Sequence, residues 1–166
     1  MPQSGPDMVL REARSGEVGR RPEQSARRTQ RESATALSVV PLFDVFSKRQ
    51  LGRLAKESDR LTFAPGTKIV EQGLLGEALF VVLEGKAKVT RGGKRVGEVV
   101  PGDFFGELSA IDGGPRSATV TAETQVRVVR LFRRTLLELL KEEPRMAVKL
   151  LDGMARRVRQ VERRTG

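Results

Sequence analysis

The spacing of apolar residues divides the chain into an arm and one folded domain. Residues 1–36 carry few large apolar side chains among many Arg, Glu, Gln, Ser, Gly and Pro. Such a segment cannot bury enough surface to offset the entropy lost on ordering, so it predicts a disordered, basic and polar arm. From residue 37 to residue 166 the pattern predicts a single domain.

A helix is predicted near the start of this domain. Ser47 is a favourable N-cap, and Gln50 three residues later completes a capping box. The helix is expected from Lys48 to about Ser58, with Leu51 and Leu54 on one face.

Between about residues 60 and 132 the apolar spacing becomes that of strands. Short alternating or apolar runs are separated by Gly-containing turns such as Pro65-Gly66 and Gly92-Gly93. About eight short strands with regular turns indicate a mainly β fold with added helices, an eight-stranded, jelly-roll-like β-roll. The runs include 61–63, 68–71, 78–83, 86–91, 94–100, 117–122 and 126–132.

Two helices are predicted after the roll, over about 133–142 and 144–163. Pro144 suits the first position of the second helix. That helix has an apolar stripe, which predicts packing on the roll or on a second subunit. The stripe consists of Ala147, Leu150, Leu151, Met154, Val158 and Val161.

Composition excludes several classes of function. The chain has no His and no Cys, which removes the usual zinc ligands and rules out Ser-His-Asp and Cys-His catalysis. No apolar run approaches the ~20 residues that a membrane-spanning helix needs. Carboxylate-based acid–base chemistry stays possible on composition alone. We expect a cytoplasmic protein without a metal or a resident cofactor, and a binding protein rather than an enzyme.

The net charge of +10 is concentrated at the end of the chain. Residues 144–166 hold seven basic and two acidic residues. A cluster from Arg156 to Arg164 is typical of nucleic-acid binding, but it is also typical of a solvated helix face.

The segment 104–120 interrupts the strand pattern and carries the candidate chemistry. Residues 106–111 predict one helical turn, followed by a Gly-Gly-Pro turn. The first N–H groups of a helical turn lack intrahelical partners and favour an anion, and Gly106 allows close approach to the backbone. Arg116, expected at the start of the next strand, has a planar fork suited to a phosphate. Glu107 supplies acceptors for sugar hydroxyls.

This segment resembles the phosphate-binding motif of the cyclic-nucleotide-binding domain family, to which the cyclic-AMP receptor protein and the regulatory subunit of protein kinase A belong. The family pattern is Phe-Gly-Glu-Leu, a short spacer, and Pro-Arg-Ser/Ala-Ala-Thr-Val. The chain matches it over 105–120, with nine residues from Glu107 to Arg116. The turns Glu71-Gln72-Gly73 and Pro101-Gly102-Asp103 fit as well, so the resemblance covers roughly residues 40–162 and implies a stand-alone member.

The resemblance implies roles for the phosphate and ribose contacts. It implies that Arg116 pairs with an exocyclic oxygen of the cyclic phosphate and that the N–H groups of Gly106 and Ala118 face the same group. It also implies that Glu107 accepts a hydrogen bond from the ribose 2′-OH and that Ser117 lies beside the phosphate.

Further residues are implied around the sugar and base. Leu108 and Val99 would line them. By resemblance to the last helix of the bacterial cyclic-AMP receptor protein, Arg157 would reach Glu107 or the base, and Val161 and Glu162 would lie near the purine.

The expected function is therefore a sensor that binds cyclic AMP, in preference to cyclic GMP, and signals by repositioning its C-terminal helix. The expected partner is another protein or a second copy, contacted through that helix. DNA is not favoured, because no helix-turn-helix domain fits after it. Two alternatives stay open: a ligand-free interaction module in which Glu107 and Arg116 form a structural salt bridge, and a basic nucleic-acid-binding regulator.

Overall fold

The computed structural model describes the backbone of residues 34–165 and the side chains of residues 34–163. Residues 34–38 are helical, and Ala34 and Leu37 pack into the core. The last three residues of the predicted arm, 34–36, therefore belong to the folded part, because this short helical turn carries Leu37 into the core. The rest of the predicted arm, residues 1–33, lies outside the described residues.

The fold is an eight-stranded roll with helices before, within and after it, as the apolar pattern predicted. A capping box between Ser47 and Gln50 begins the first helix. The elements are a 3-10 turn Pro41–Phe43, α1 Lys48–Glu57, β1 Asp59–Phe63, β2 Lys68–Val70, β3 Ala78–Glu84, β4 Ala87–Arg91, β5 Lys94–Val99, β6 Phe104–Phe105, α2 Glu107–Asp112, β7 Thr119–Ala122, β8 Val126–Phe132, α3 Arg133–Glu142 and α4 Pro144–Thr165.

The strands form two four-stranded antiparallel sheets. The first has the order β1-β8-β3-β6 and the second the order β2-β7-β4-β5. Strand β3 is buried on both faces, which explains why its sequence is a continuous apolar run rather than an alternating one.

Two apolar clusters follow from this arrangement. The first sheet and the second enclose one cluster, which includes Phe80 and Val82 of β3. The alternate residues Leu79 and Val81 of the same strand face a second cluster, formed with the helices. The first sheet is thus shared by the interior of the roll and by the layer of helices.

The apolar stripe predicted for α4 is only partly buried. Leu150 is buried, whereas Leu151 is 62% exposed and Val158 is 57% exposed. The helix also buries Met146, which the predicted stripe did not include. The reason is that the N-terminal part of α4 packs on α3 and on the 3-10 turn, while its C-terminal part borders a cavity. None of the helices within residues 34–165 has the length and apolar character needed to span a bilayer.

Candidate functional site

A cavity of about 380 Å³ lies between the second sheet, helix α2 and the C-terminal half of α4. This volume is in the range of small-molecule sites. All of the residues singled out from the sequence as contacts of the ligand line it, although those of α4 are about 40 residues away from the others in the chain. They are Val99, Gly106, Glu107, Leu108, Arg116, Ser117, Ala118, Arg157, Val161 and Glu162.

The Arg116 side chain is buried, with 7% of its surface exposed. Its Nη1 donates hydrogen bonds to the backbone carbonyls of Ala78 at 2.9 Å and Gly106 at 3.1 Å. A Cβ at Gly76 would lie 2.9 Å from the Arg116 Nε, so glycine there leaves the room that the guanidinium occupies. The guanidinium also lies over the ring of Phe80, 5.8 Å from its centroid.

The charge of Arg116 has no close counter-charge among the described side chains, since no carboxylate of residues 34–163 lies within 4 Å of it. Burial lowers the pKa of Arg116 from its usual value, and the more distant Glu107 carboxylate partly opposes this. Burying a cation with only neutral carbonyl partners is costly. An anion in the cavity would compensate this cost.

The sequence suggested that Arg116 lies at the start of the following strand. In the structure it lies before that strand. Strand β7 begins at Thr119, and residues 117 and 118 form a bend before it. The backbone of Arg116 instead pairs with a loop: its N–H donates to Leu74 at 2.9 Å, and its carbonyl accepts from Gly73 at 2.8 Å. These bonds hold Arg116 at the cavity wall. The bend keeps Ser117 and Ala118 outside strand β7.

Helix α2 begins directly after Gly106, which is its N-cap with a φ of +82°. A glycine is required there, since a Cβ would lie 2.6 Å from Arg116 Nη1 and 2.7 Å from the Ala78 carbonyl oxygen. The carbonyl of Gly106 accepts from both Ala110 N and Arg116 Nη1. The turn and the arginine are therefore positioned by the same peptide group.

Glu107 pairs with Arg157 of α4 rather than with Arg116. Arg157 Nη1 donates to Glu107 Oε2 at 2.9 Å. The Glu107–Arg116 salt bridge considered from the sequence is not formed, because the Arg116 guanidinium is held by Ala78 and Gly106. The prediction that Arg157 reaches Glu107 agrees with this geometry.

Phe104 packs with the helices and also contacts the arginine of this ion pair. The Arg157 guanidinium lies 4.8 Å from the centroid of the Phe104 ring. A Cβ at Gly153 would lie only 2.6 Å from the same ring, so α4 packs closely there. The next residue, Phe105, faces the opposite way and stacks on Phe80 inside the roll, with 5.1 Å between centroids. Phe104 thus contacts α4, and Phe105 lines the cavity.

Sequence reasoning missed several residues of the cavity wall. One of them is Arg91, whose Nε donates to the Ser117 carbonyl at 3.1 Å. It stands at the end of a strand beside a Gly-Gly turn, a place with no distinctive pattern. The others include Val70, Val89, Val96, Gly97, Glu98, Phe105, Met154, Val158 and Gln160. No cluster of metal-ligating side chains occurs in the part of the chain that the structure describes.

Comparisons with known proteins identify a matching family model and several similar proteins. The family model described as "Cyclic nucleotide-binding domain" matches residues 60–143. The CRP-like cAMP-activated global transcriptional regulator of Mycobacterium tuberculosis is 31% identical over 128 residues, which is 74% of this chain and 57% of that protein. This chain therefore spans less than two thirds of that relative's length.

Two further similarities come from a kinase and from a solved structure. The cGMP-dependent protein kinase of Toxoplasma gondii is 33% identical over 114 residues, 69% of this chain and 12% of the kinase. The crystal structure of Thermus thermophilus catabolite activator protein superimposes with a TM-score of 0.66 at 32% identity, covering 75% of this chain and 61% of that one.

Replacing Gly106 should disturb the seat of Arg116. We expect Gly106→Ala to lower the unfolding free energy by about 1–3 kcal/mol more than Gly113→Ala, because both glycines have positive φ but a Cβ at Gly113 meets no atom within 4 Å. Urea denaturation of the two variants measures the difference. Equal losses would mean that the close approach of Gly106 to Arg116 contributes nothing.

Proposed function

This chain belongs to the cyclic nucleotide-binding domain family, and on that premise we propose that its cavity binds a cyclic mononucleotide, cyclic AMP in preference to cyclic GMP, as a regulatory sensor. The observation that carries the proposal is the buried Arg116 guanidinium, which faces a cavity and has no carboxylate of residues 34–163 within 4 Å. The proposal is one of binding and not of catalysis.

The phosphate is proposed to lie against Arg116 and the turn at Gly106. Only Nη1 of Arg116 takes part in the hydrogen bonds described above, so other N–H groups of its fork are available to a phosphate oxygen. The Gly106 and Ala118 N–H groups and the Ser117 hydroxyl are proposed as further donors. A phosphate here would neutralise the charge whose burial lowers the pKa of Arg116.

The ribose and the base are proposed to extend from the phosphate toward α4. Glu107 is 9% exposed and lines the cavity, and its carboxylate is proposed to accept from the ribose 2′-OH. Val99, Leu108 and Val161 give the cavity apolar walls suited to the sugar and to the flat face of a purine.

The preference for cyclic AMP is supported by the printed name of the mycobacterial relative, a cAMP-activated regulator. Cyclic GMP stays a competitor, since the Toxoplasma relative is a cGMP-dependent kinase and Ser117 places a hydroxyl directly after Arg116.

Binding is proposed to act on α4 through Glu107. In the structure this carboxylate accepts from Arg157, so a ribose hydroxyl would share or replace that bond. A ligand shifts the helix only by as much as it prefers one helix position over another, typically ~1–3 kcal/mol in such linkages.

The signal is proposed to leave the domain through the outer side of α4, toward a protein partner or a second copy. Val148 is 67% exposed, and Leu151, which is 62% exposed, follows three residues later on the same side. Light scattering with and without cyclic AMP tests the second copy, because a dimeric mass would support it and a monomeric mass would exclude it.

Arg116→Ala should weaken cyclic AMP binding by roughly 10- to 100-fold, because it removes a charge-assisted contact worth about 1.5–3 kcal/mol. Titration calorimetry measures the dissociation constant. Arg116→Lys should retain more affinity than the alanine variant, since it keeps the charge and loses the planar fork.

Arg127→Ala is the matched control, because Arg127 pairs with Glu84 outside the cavity and should leave binding unchanged. A dissociation constant unaffected by Arg116→Ala in a folded variant would refute the phosphate site. Absence of heat and of a thermal shift for the unaltered chain with millimolar cyclic AMP and cyclic GMP would favour the ligand-free interaction module.

Glu107→Gln should weaken cyclic AMP more than its 2′-deoxy analogue, because only the former has the hydroxyl that the carboxylate would accept from. Since this variant also breaks the bond to Arg157, Arg157→Gln serves as the control that leaves Glu107 intact. Calorimetry with both ligands gives the ratio of affinities. An equal loss for both ligands in Glu107→Gln would contradict the ribose contact.

The movement of α4 can be measured with site-specific labels, because the chain has no cysteine of its own. We expect the distance between spin labels at Lys94→Cys and Arg159→Cys to change on addition of cyclic AMP. A pair at Lys94→Cys and Glu84→Cys, both within the roll, should stay fixed. Unchanged distances for the α4 pair at saturating ligand would rule out helix repositioning.

A further inference from the structure

We propose that Arg91 is a second cation for the ligand's phosphate and favours an anionic nucleotide over a neutral nucleoside. This inference rests on the proposed function and extends it, since Arg91 lies outside the motif at 105–120. Arg91 ends strand β4 and lines the cavity. Its Nε donates to the carbonyl of Ser117, the residue that follows Arg116, at 3.1 Å.

The hairpin that carries Arg91 is tied to the phosphate end of the cavity by a second contact. Gln72 accepts from Gly92 N through its side chain at 2.8 Å, and its own N–H donates to Thr119 Oγ1 at 2.9 Å. Arg91 and Gln72 thus connect the tip of the β4–β5 hairpin to residues 117–119. The position of the Arg91 guanidinium is therefore defined by the same bend that positions Ser117 and Ala118.

Among the described residues around the cavity, no carboxylate forms an ion pair with Arg91. Of the three arginines in the wall, Arg157 is paired with Glu107. Of the other lining carboxylates, that of Glu98 pairs with Arg95 at 3.2 Å, and that of Glu162 forms no ion pair with Arg91. No carboxylate of the described side chains lies within 4 Å of Arg91. Arg91 and Arg116 are therefore the two arginines of the cavity wall that have no carboxylate of residues 34–163 within 4 Å.

The bond to Ser117 uses the single N–H at Nε, which leaves the four N–H groups of the two terminal nitrogens outside that bond. Anchoring at Nε restricts the side chain, so less entropy is lost when the fork contacts a phosphate oxygen. Arg91 is exposed, unlike Arg116. Its effect should therefore be smaller and more sensitive to salt.

The test compares Arg91→Gln with Lys94→Gln in the full chain. Lys94 pairs directly opposite Arg91 in the hairpin and does not line the cavity, so both variants lose one positive charge from the same turn. At low salt Arg91→Gln should weaken cyclic AMP by roughly 3- to 10-fold, and Lys94→Gln by less than about 2-fold. The Arg91 effect should shrink at about 0.5 M salt, where the screening length is only a few ångströms.

Adenosine distinguishes a contact to the phosphate from a purely structural role. Measured by displacement of a fluorescent ligand, adenosine should bind Arg91→Gln and the unaltered chain equally well. Equal losses for adenosine and cyclic AMP would overturn the proposal, because Arg91 would then only position Ser117. Equal effects of the two variants on cyclic AMP would also overturn it, in favour of a general charge effect.

The failure of this inference is distinct from the failure of the proposed function. If the unaltered chain binds neither cyclic AMP nor cyclic GMP, both proposals fall. If it binds and only the Arg91→Gln result deviates, the cavity keeps its proposed ligand and Arg91 loses its role. Should Arg91→Gln unfold, Arg91→Met, which removes the charge and keeps a long side chain, should still weaken cyclic AMP relative to the unaltered chain, and an unchanged affinity would overturn the proposal.

Discussion

The site depends on one buried cation that the protein holds with backbone carbonyls and not with an acid. Arg116 donates to the carbonyls of Ala78 and Gly106, and this requires that residues 76 and 106 have no side chain. A carboxylate partner would have made a self-sufficient ion pair. Neutral carbonyls fix the guanidinium in place without neutralising its charge, so an anion in the cavity would compensate that charge.

The two-residue strand β6 gives this cation a connection to the helices. Phe105 packs inside the roll with Phe80, and Phe104 packs against Gly153 and Arg157 of α4. The next two positions are Gly106 and Glu107, one next to Arg116 and the other paired with Arg157. A displacement of this short segment would reach the cavity and α4 together, because close-packed contacts transmit small shifts.

The positive charge of the chain is less available to nucleic acid than its total suggests. In the C-terminal cluster, Arg156 forms an ion pair with Asp152 on the same helix, and Arg157 lies in the cavity wall against Glu107. Near the start of α4, Lys149 pairs with Asp44. For Lys149, Arg156 and Arg157 the observed contacts therefore agree better with the solvated-face interpretation than with a continuous phosphate-binding face.

Local pattern was sufficient for most of the elements and for much of the site, although the two-residue strand β6 lies in the segment that was expected to interrupt the strands. The capping box at Ser47, the Gly-containing turns and the switch to helical spacing at Arg133 each depend on near neighbours in the chain, and they predicted the boundaries closely. The motif at 105–120 likewise identified six of the residues that line the cavity, namely Gly106, Glu107, Leu108, Arg116, Ser117 and Ala118. Local pattern could not predict contacts between residues that are distant in the chain. The sequence left open whether Glu107 binds Arg116 or Arg157. It also predicted that Leu151 is packed, and it did not indicate that Arg91 lines the cavity. Those outcomes depend on how a hairpin and a helix, distant in sequence, are brought beside the same bend, and only the packing of the two sheets and α4 decides that.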